Sequence, residues 1–172
     1  MAFGGGGQSR RLRGTVTGGT VMKPGILLGG LLALVMTGTA ANADPVTFST
    51  YLKDPVWAKQ FDAMFGKTPK PDWLRTATES EAVPVTMDGR PYTVLLACRK
   101  HDCANHQLAV LFDKTAIYGL RFETRDNSPK EELTWFNIGG GPESIDGKTI
   151  LYAAITGSLF NHPGMFSFPA GK

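Results

Sequence analysis

The apolar positions change period along the chain, and the changes mark its elements. After Asp54-Pro55, residues Val56, Trp57, Gln60, Phe61, Met64 and Phe65 follow at spacings of three and four, the stripe of a helix packed on a core. Asp54 suits its N-cap, Pro55 its first turn and Gly66 its end. Lys67 to Asp72, with two prolines, reads as a stiff connector, after which Trp73-Leu74 dock back on the core. From Val83 the period shortens to that of strands. Val83–Met87 and Pro91–Ala97 form a hairpin around a tight Asp88-Gly89 turn. His106–Phe112, Ala116–Thr124 and Glu132–Ile138 follow, separated by turns at Asp113-Lys114 and at Asp126–Pro129. Consecutive hairpins of this kind make an antiparallel meander. Gly139–Pro142 breaks the pattern, and Ile150, Leu151, Ala154, Ile155 and Leu159 return to helical spacing with Asp146 as N-cap. The Asp146-Gly147 pair also suits a hairpin turn. Asn161–Gly164 reads as loop, with Phe166 and Phe168 anchoring the tail. The expected fold class is α+β, an antiparallel sheet of about five strands with helices packed on one face.

The first 43 residues do not belong to this pattern. Ile26 to Met36 is an apolar run of eleven, preceded by Met22-Lys23 and followed by small residues ending in Ala41-Asn42-Ala43. A basic start, a short apolar stretch and an Ala-x-Ala site read as a secretory signal cut after Ala43. Eleven helical residues span about 16 Å, against roughly 30 Å of bilayer hydrocarbon. Met22 is the expected start, residues 1–21 a Gly-rich upstream extension, and residues 44–172 a single exported domain with no membrane association after cleavage.

Cleavage changes the charge. The net +3 of the 172 residues includes Arg10, Arg11, Arg13 and Lys23, and without them 14 basic residues face 15 acidic ones. No basic stripe is left for nucleic acid. Export also bears on Cys98 and Cys103, the chain's two cysteines, because an oxidising compartment favours their pairing. They bracket a polar run, Arg99-Lys100-His101-Asp102, between the second and third expected strands. If joined, they close a small ring at a hairpin tip. The chain-entropy model assigns such a ring roughly 2 kcal/mol, so it serves to hold a loop in one shape for recognition more than to stabilise a domain. Cys98, His101, Cys103 and His106 also have the residue types of a zinc site. Against that, one residue separates His101 from Cys103, where ligand pairs usually have two to four between them. The spacing is also not that of a Cys-x-x-Cys redox pair. No metal or cofactor is expected.

The loop resembles the Cys-Lys-Pro-His-Asp-Cys loop of the Ivy family, the periplasmic inhibitors of vertebrate lysozyme. The similarity continues through Leu133-Thr-Trp-Phe-Asn137, Ser144-Ile-Asp-Gly-Lys-Thr149, Ala153-Ala-Ile-Thr-Gly-Ser-Leu159 and Asn161-His162-Pro163, in order over most of the mature chain. The resemblance implies a periplasmic binding protein of a Gram-negative bacterium rather than an enzyme. Its partner is expected to be animal-type (c-type) lysozyme, whose cleft the loop enters. His101 then engages the two catalytic carboxyl groups and Asp102 adds polar contacts. Lys100 departs from the family pattern, which has proline there; with Arg99 it puts positive charge beside a strongly basic target. A homodimer is known in the family. The rival readings are an inhibitor of the bacterium's own lytic transglycosylases, which also use a carboxyl group, and a Cys/His metal-binding protein. His106 is expected as a strand residue, His162 as part of a turn, and Glu131-Glu132 as solvated edge charge. Gly139-Gly-Gly-Pro142 lacks the lysine and helix of a phosphate loop.

Overall fold

The computed structural model describes residues 45–125, 128–141 and 143–170. The expected leader with its cleavage point, and the Asp126-Asn127 part of an expected turn, lie outside the described residues. The elements are α1 (Phe48–Tyr51), α2 (Pro55–Phe65), a 3-10 turn (Asp72–Thr76), β1 (Thr78–Glu79), β2 (Val83–Met87), β3 (Arg90–Cys98), β4 (His106–Phe112), β5 (Ile117–Thr124), β6 (Glu131–Phe136), α3 (Glu143–Ile155), α4 (Ser158–Asn161) and a second 3-10 turn (Pro163–Met165). Among the described residues no helix is long and apolar enough to cross a membrane.

The strands form one antiparallel sheet in the order β1-β3-β4-β5-β6, with β2 also paired to β3. Strands β2 to β6 are the meander expected from the chain. The sixth strand, β1, pairs Thr78 with Cys98 and Glu79 with Ala97, while β2 pairs Val83 with Val94 through to Met87 with Arg90. The two therefore lie end to end along one edge of β3. Between them Ala82 N–H turns away to donate to the Val46 carbonyl at 2.8 Å.

The α+β class stands, but the helices do not share one face. Leu95, Ala97, Leu108, Val110 and Phe112 pack with Phe48 of α1 and Phe61, Met64 and Phe65 of α2. Val94, Ala109, Leu111, Leu120 and Phe122 pack with Ile150, Leu151 and Ala154 of α3 and Leu159 of α4. The reason lies in the strands. Val94–Ala97 and Leu108–Phe112 are unbroken apolar runs, so both faces of β3 and β4 need cover. Two glycines let the helices close in. A Cβ on Gly119 would stand 2.8 Å from the Met64 sulfur of α2, and one on Gly147 would stand 2.7 Å from Ile138 and 3.2 Å from the Met87 sulfur.

Helix α2 has the expected ends: Asp54 Oδ1 accepts from Val56 N–H at 2.8 Å and Gly66 takes φ +54°. Its stripe is narrower than the spacing suggests, with Val56 63 % exposed. Trp73 and Leu74 pack against the α2-side core as expected. Helix α3 starts before Asp146, so that residue lies inside the helix, and the Asp146-Gly147 hairpin alternative falls away. Where a loop was expected at Asn161–Gly164 there are α4 and the second 3-10 turn. Phe166 and Phe168 do anchor the tail on the α3-side core, and Ser167 bridges in parallel to Thr86 of β2.

Candidate functional site: a disulfide-closed loop between β3 and β4

The β3–β4 ladder runs to the pair Cys98↔Gln107, and beyond it the chain makes two successive turns. Cys98 and Cys103 are joined, with Cα atoms 4.9 Å apart. Cys98 is 8 % exposed, at the rim of the core, and Cys103 is exposed. Arg99 N–H donates to the His106 carbonyl at 3.0 Å, and Asp102 N–H donates back to the Arg99 carbonyl at 2.9 Å. Residues 99–102 are thus a β-turn, with Lys100 second and His101 third. His101 has φ +65°, one of three described non-glycine residues in that region, the others being Asp88 and Asn137. A positive φ at the third position alone marks a type II turn, and histidine is among the side chains that tolerate it. His101 and Lys100 are both exposed, and the His101 imidazole makes no hydrogen bond to a described residue.

Asp102 sits under this tip. Its carbonyl accepts from Asn105 N–H and His106 N–H, both at 3.2 Å. Its Oδ1 accepts from Asn105 Nδ2 at 2.8 Å, its Oδ2 is 2.8 Å from His106 Nδ1, and the Arg99 guanidinium stands 3.5 Å from that same oxygen. The Asn105 amide, and after it His106 and Arg99, hold the Asp102 carboxyl below its ordinary value of 3.8, against a smaller upward push from desolvation. Asn105 is itself tied to the sheet, its carbonyl accepting from Thr124 N–H of β5 at 2.9 Å.

Two depressions flank the loop base and share His106 as a wall. One, of about 410 Å³, is lined by Glu123, Arg125, Lys130 and Glu132 among others. The other, of about 380 Å³, lies towards the proline-stiffened connector and is lined by Arg99, Arg121, Glu123, Pro69 and Trp73. Both are charged and open, in keeping with a protein-contact surface rather than a small-molecule pocket.

The structure therefore brings Cys98, Arg99, Lys100, His101, Asp102 and Cys103 into one exposed knuckle. It also ends the metal reading, because a disulfide leaves no thiolate to coordinate; among the described residues no cluster of His, Cys, Asp or Glu is arranged to hold an ion. His162 belongs to the turn after α4, as expected. Asn105 is not among the residues that the sequence marks, and His106 is expected there as a strand residue or a zinc-type ligand, not as a partner of Asp102. The available signal was their spacing: three and four residues beyond an aspartate, side chains can bond back to it across a turn.

The family model described as Inhibitor of vertebrate lysozyme (Ivy) matches residues 56–151, a span that contains the whole knuckle. The chain is 36 % identical over 139 residues to the Inhibitor of vertebrate lysozyme of Escherichia coli (strain K12), covering 79 % of this chain and 88 % of that protein. It is 33 % identical over 108 residues to the protein of the same name from Pseudomonas aeruginosa, covering 56 % of this chain and 70 % of that one.

Proposed function

The chain belongs to the inhibitor of vertebrate lysozyme (Ivy) family, and we propose that it inhibits c-type lysozyme by setting the Cys98–Cys103 knuckle into the active-site cleft. In this reading it is a binding protein, not an enzyme, exported to the periplasm, where its disulfide is stable. The observation that carries it is His101, an exposed imidazole with no described hydrogen-bond partner, at the tip of a covalently closed turn.

The chemistry of the target makes that group apt. A retaining glycosidase holds two carboxyl groups about 5 Å apart, one protonated and one ionised. A single imidazole fits between them, one ring nitrogen donating to the ionised carboxylate while the other faces the acid. The neighbouring negative charge favours the imidazolium, and a charge-assisted hydrogen bond of this kind contributes about 1.5–3 kcal/mol. The cleavage position is then filled by a side chain with no glycosidic bond. A turn fixed before binding loses less entropy on docking.

The test is inhibition of cell-wall lysis by an animal lysozyme. His101→Ala should weaken inhibition by about 10- to 150-fold, the equivalent of one such bond. Undiminished blocking by that variant would sink the reading. A parallel titration against an endogenous lytic transglycosylase distinguishes the rival target: inhibition there and none of lysozyme would replace defence against a host enzyme with regulation of a resident one.

A further inference from the structure

We propose that Asp102 is a positioning residue: with Asn105 and His106 it forms an internal clamp that fixes the direction of His101. This rests on the reading of His101 given above. The disulfide closes the ring between Cys98 and Cys103 and narrows the conformations of the turn inside it without selecting one. That turn carries a histidine at φ +65°, a strained conformation for a non-glycine residue, so the surroundings must hold it.

Asp102, the next residue, supplies the hold. Side chain and main chain together attach it four times to two residues: Oδ1 to Asn105 Nδ2 and Oδ2 to His106 Nδ1, both at 2.8 Å, and its carbonyl to both amides at 3.2 Å. Those two residues are fixed in turn. Asn105 is bonded to β5 through Thr124, and His106 opens β4 in register with Glu123. The stiffness of the sheet is thereby carried to the residue beside His101. Each carboxylate oxygen accepts a hydrogen bond from within the chain, which turns the group towards the loop base. For His106 Nδ1 to donate to the carboxylate it must carry a proton, which fixes the ring's tautomer or charge.

The experiment compares Asp102→Ala, Asp102→Asn, His106→Ala and the double variant Asp102→Ala/His106→Ala, by inhibition of lysozyme and by amide hydrogen exchange in the free protein. Asp102→Ala should weaken inhibition about tenfold, in line with one lost hydrogen bond to a charged group. It should also speed exchange at the Asn105 and His106 amides. Asp102→Asn should recover most of the inhibition, because an amide still accepts from Asn105 and can donate to the other tautomer of His106. The double variant should be no weaker than Asp102→Ala. A direct charge contact with lysozyme would give the opposite: no recovery by asparagine, and additive losses in the double variant. Unchanged amide exchange in Asp102→Ala overturns the clamp whatever the inhibition assay gives. If that variant does not fold, unchanged exchange and undiminished inhibition in His106→Ala do the same. Full inhibition by His101→Ala with faster exchange in Asp102→Ala would mean that the clamp exists and the proposed use of the loop fails.

Discussion

Strand β4 carries an aspartate in the turn beyond each end, and the two carboxylates are used differently. Asp113 closes the β4–β5 turn on itself: Oδ1 accepts from Thr115 N–H at 2.7 Å, from the Thr115 hydroxyl at 2.8 Å and from Ala116 N–H at 2.8 Å. Its side chain is only 14 % exposed, with the Arg90 guanidinium 3.7 Å away. Beside it the Tyr92 hydroxyl accepts from Arg90 at 2.6 Å, and burial, reinforced by the Asp113 charge, pushes that phenol up to about 12. Asp102, at the other end, bonds chiefly to side chains across the base of its loop. A carboxylate that caps nearby backbone N–H groups makes a self-contained turn that presents nothing. One that reaches side chains at the strand base leaves the tip in front of it free to present His101. The first arrangement is structural and generic, while the second needs three particular residues.

Opening the ring breaks this contrast hardest. With both cysteines changed to alanine, the knuckle must order itself on binding, and the roughly 2 kcal/mol of lost chain restraint corresponds to about 30-fold weaker inhibition. Thermal unfolding should register a destabilisation of up to about the same size. If inhibition were unchanged, the turn would be held without its covalent bond, and the clamp at Asp102 would have to suffice.

Asp113→Ala should do the reverse. Loss of a partly buried acceptor of three hydrogen bonds should lower stability by about 1–3 kcal/mol, read by urea denaturation, while lysozyme inhibition stays within twofold of wild type. A parallel loss of inhibition would show the two ends of β4 to be coupled, and the contrast would fail.

The two carboxylates share one property, and pH tests it. Desolvation pushes Asp113 up, but the hydrogen bonds from Thr115 and Ala116 and the Arg90 charge outweigh it, so it too lies below 3.8. A carboxyl depressed in the fold contributes stability that is fully present above its unfolded value and is lost as pH falls through its folded one. Amide protection in both turns should therefore hold steady from neutrality to about pH 4 and decline below that. Carboxyl NMR titration of either residue at or above its ordinary value would contradict the geometry.

How much of this was legible depended on how local the cause was. Asp54 and Gly66 ended α2 as read because caps act through one or two backbone groups, and the Asp88-Gly89 turn held because both residues take positive φ, +52° and +68°. β1, of two residues, exists only because β3 extends beyond β2, and no periodicity announces that. The two-sided cover of the sheet was written in the unbroken runs of β3 and β4, but an antiparallel meander suggested one buried face. The early start of helix α3 was hidden because Gly147 has no side chain to show the period; glycine stands there because Ile138 and Met87 approach too closely for a Cβ. At the site, Cys98, His101 and Cys103 stood out by residue type. The inward turn of Asp102 did not, since it depends on where Asn105 and His106 fall once β4 pairs with β5.

Lys100 gives the smallest effect and the sharpest distinction. It is the second residue of a turn whose third has positive φ, the position where proline pre-sets the required backbone angle. Its amide donates no hydrogen bond to a described residue, so proline would break none. Restricting the unfolded chain at a compatible site contributes about 0.4–1 kcal/mol, and the same restriction in a loop that orders on binding amounts to about two- to fivefold in inhibition. Lys100→Pro also removes a charge beside the contact, so Lys100→Gln is needed beside it. Equal gains from the two variants would assign the effect to charge. A gain from proline alone would mean that residual motion of the tip limits binding. No gain from either would mean that the disulfide below and Asp102 beside already leave the turn no freedom to lose, which is the condition under which a side-chain-anchored loop matches the rigidity of the backbone-capped turn at the far end of β4.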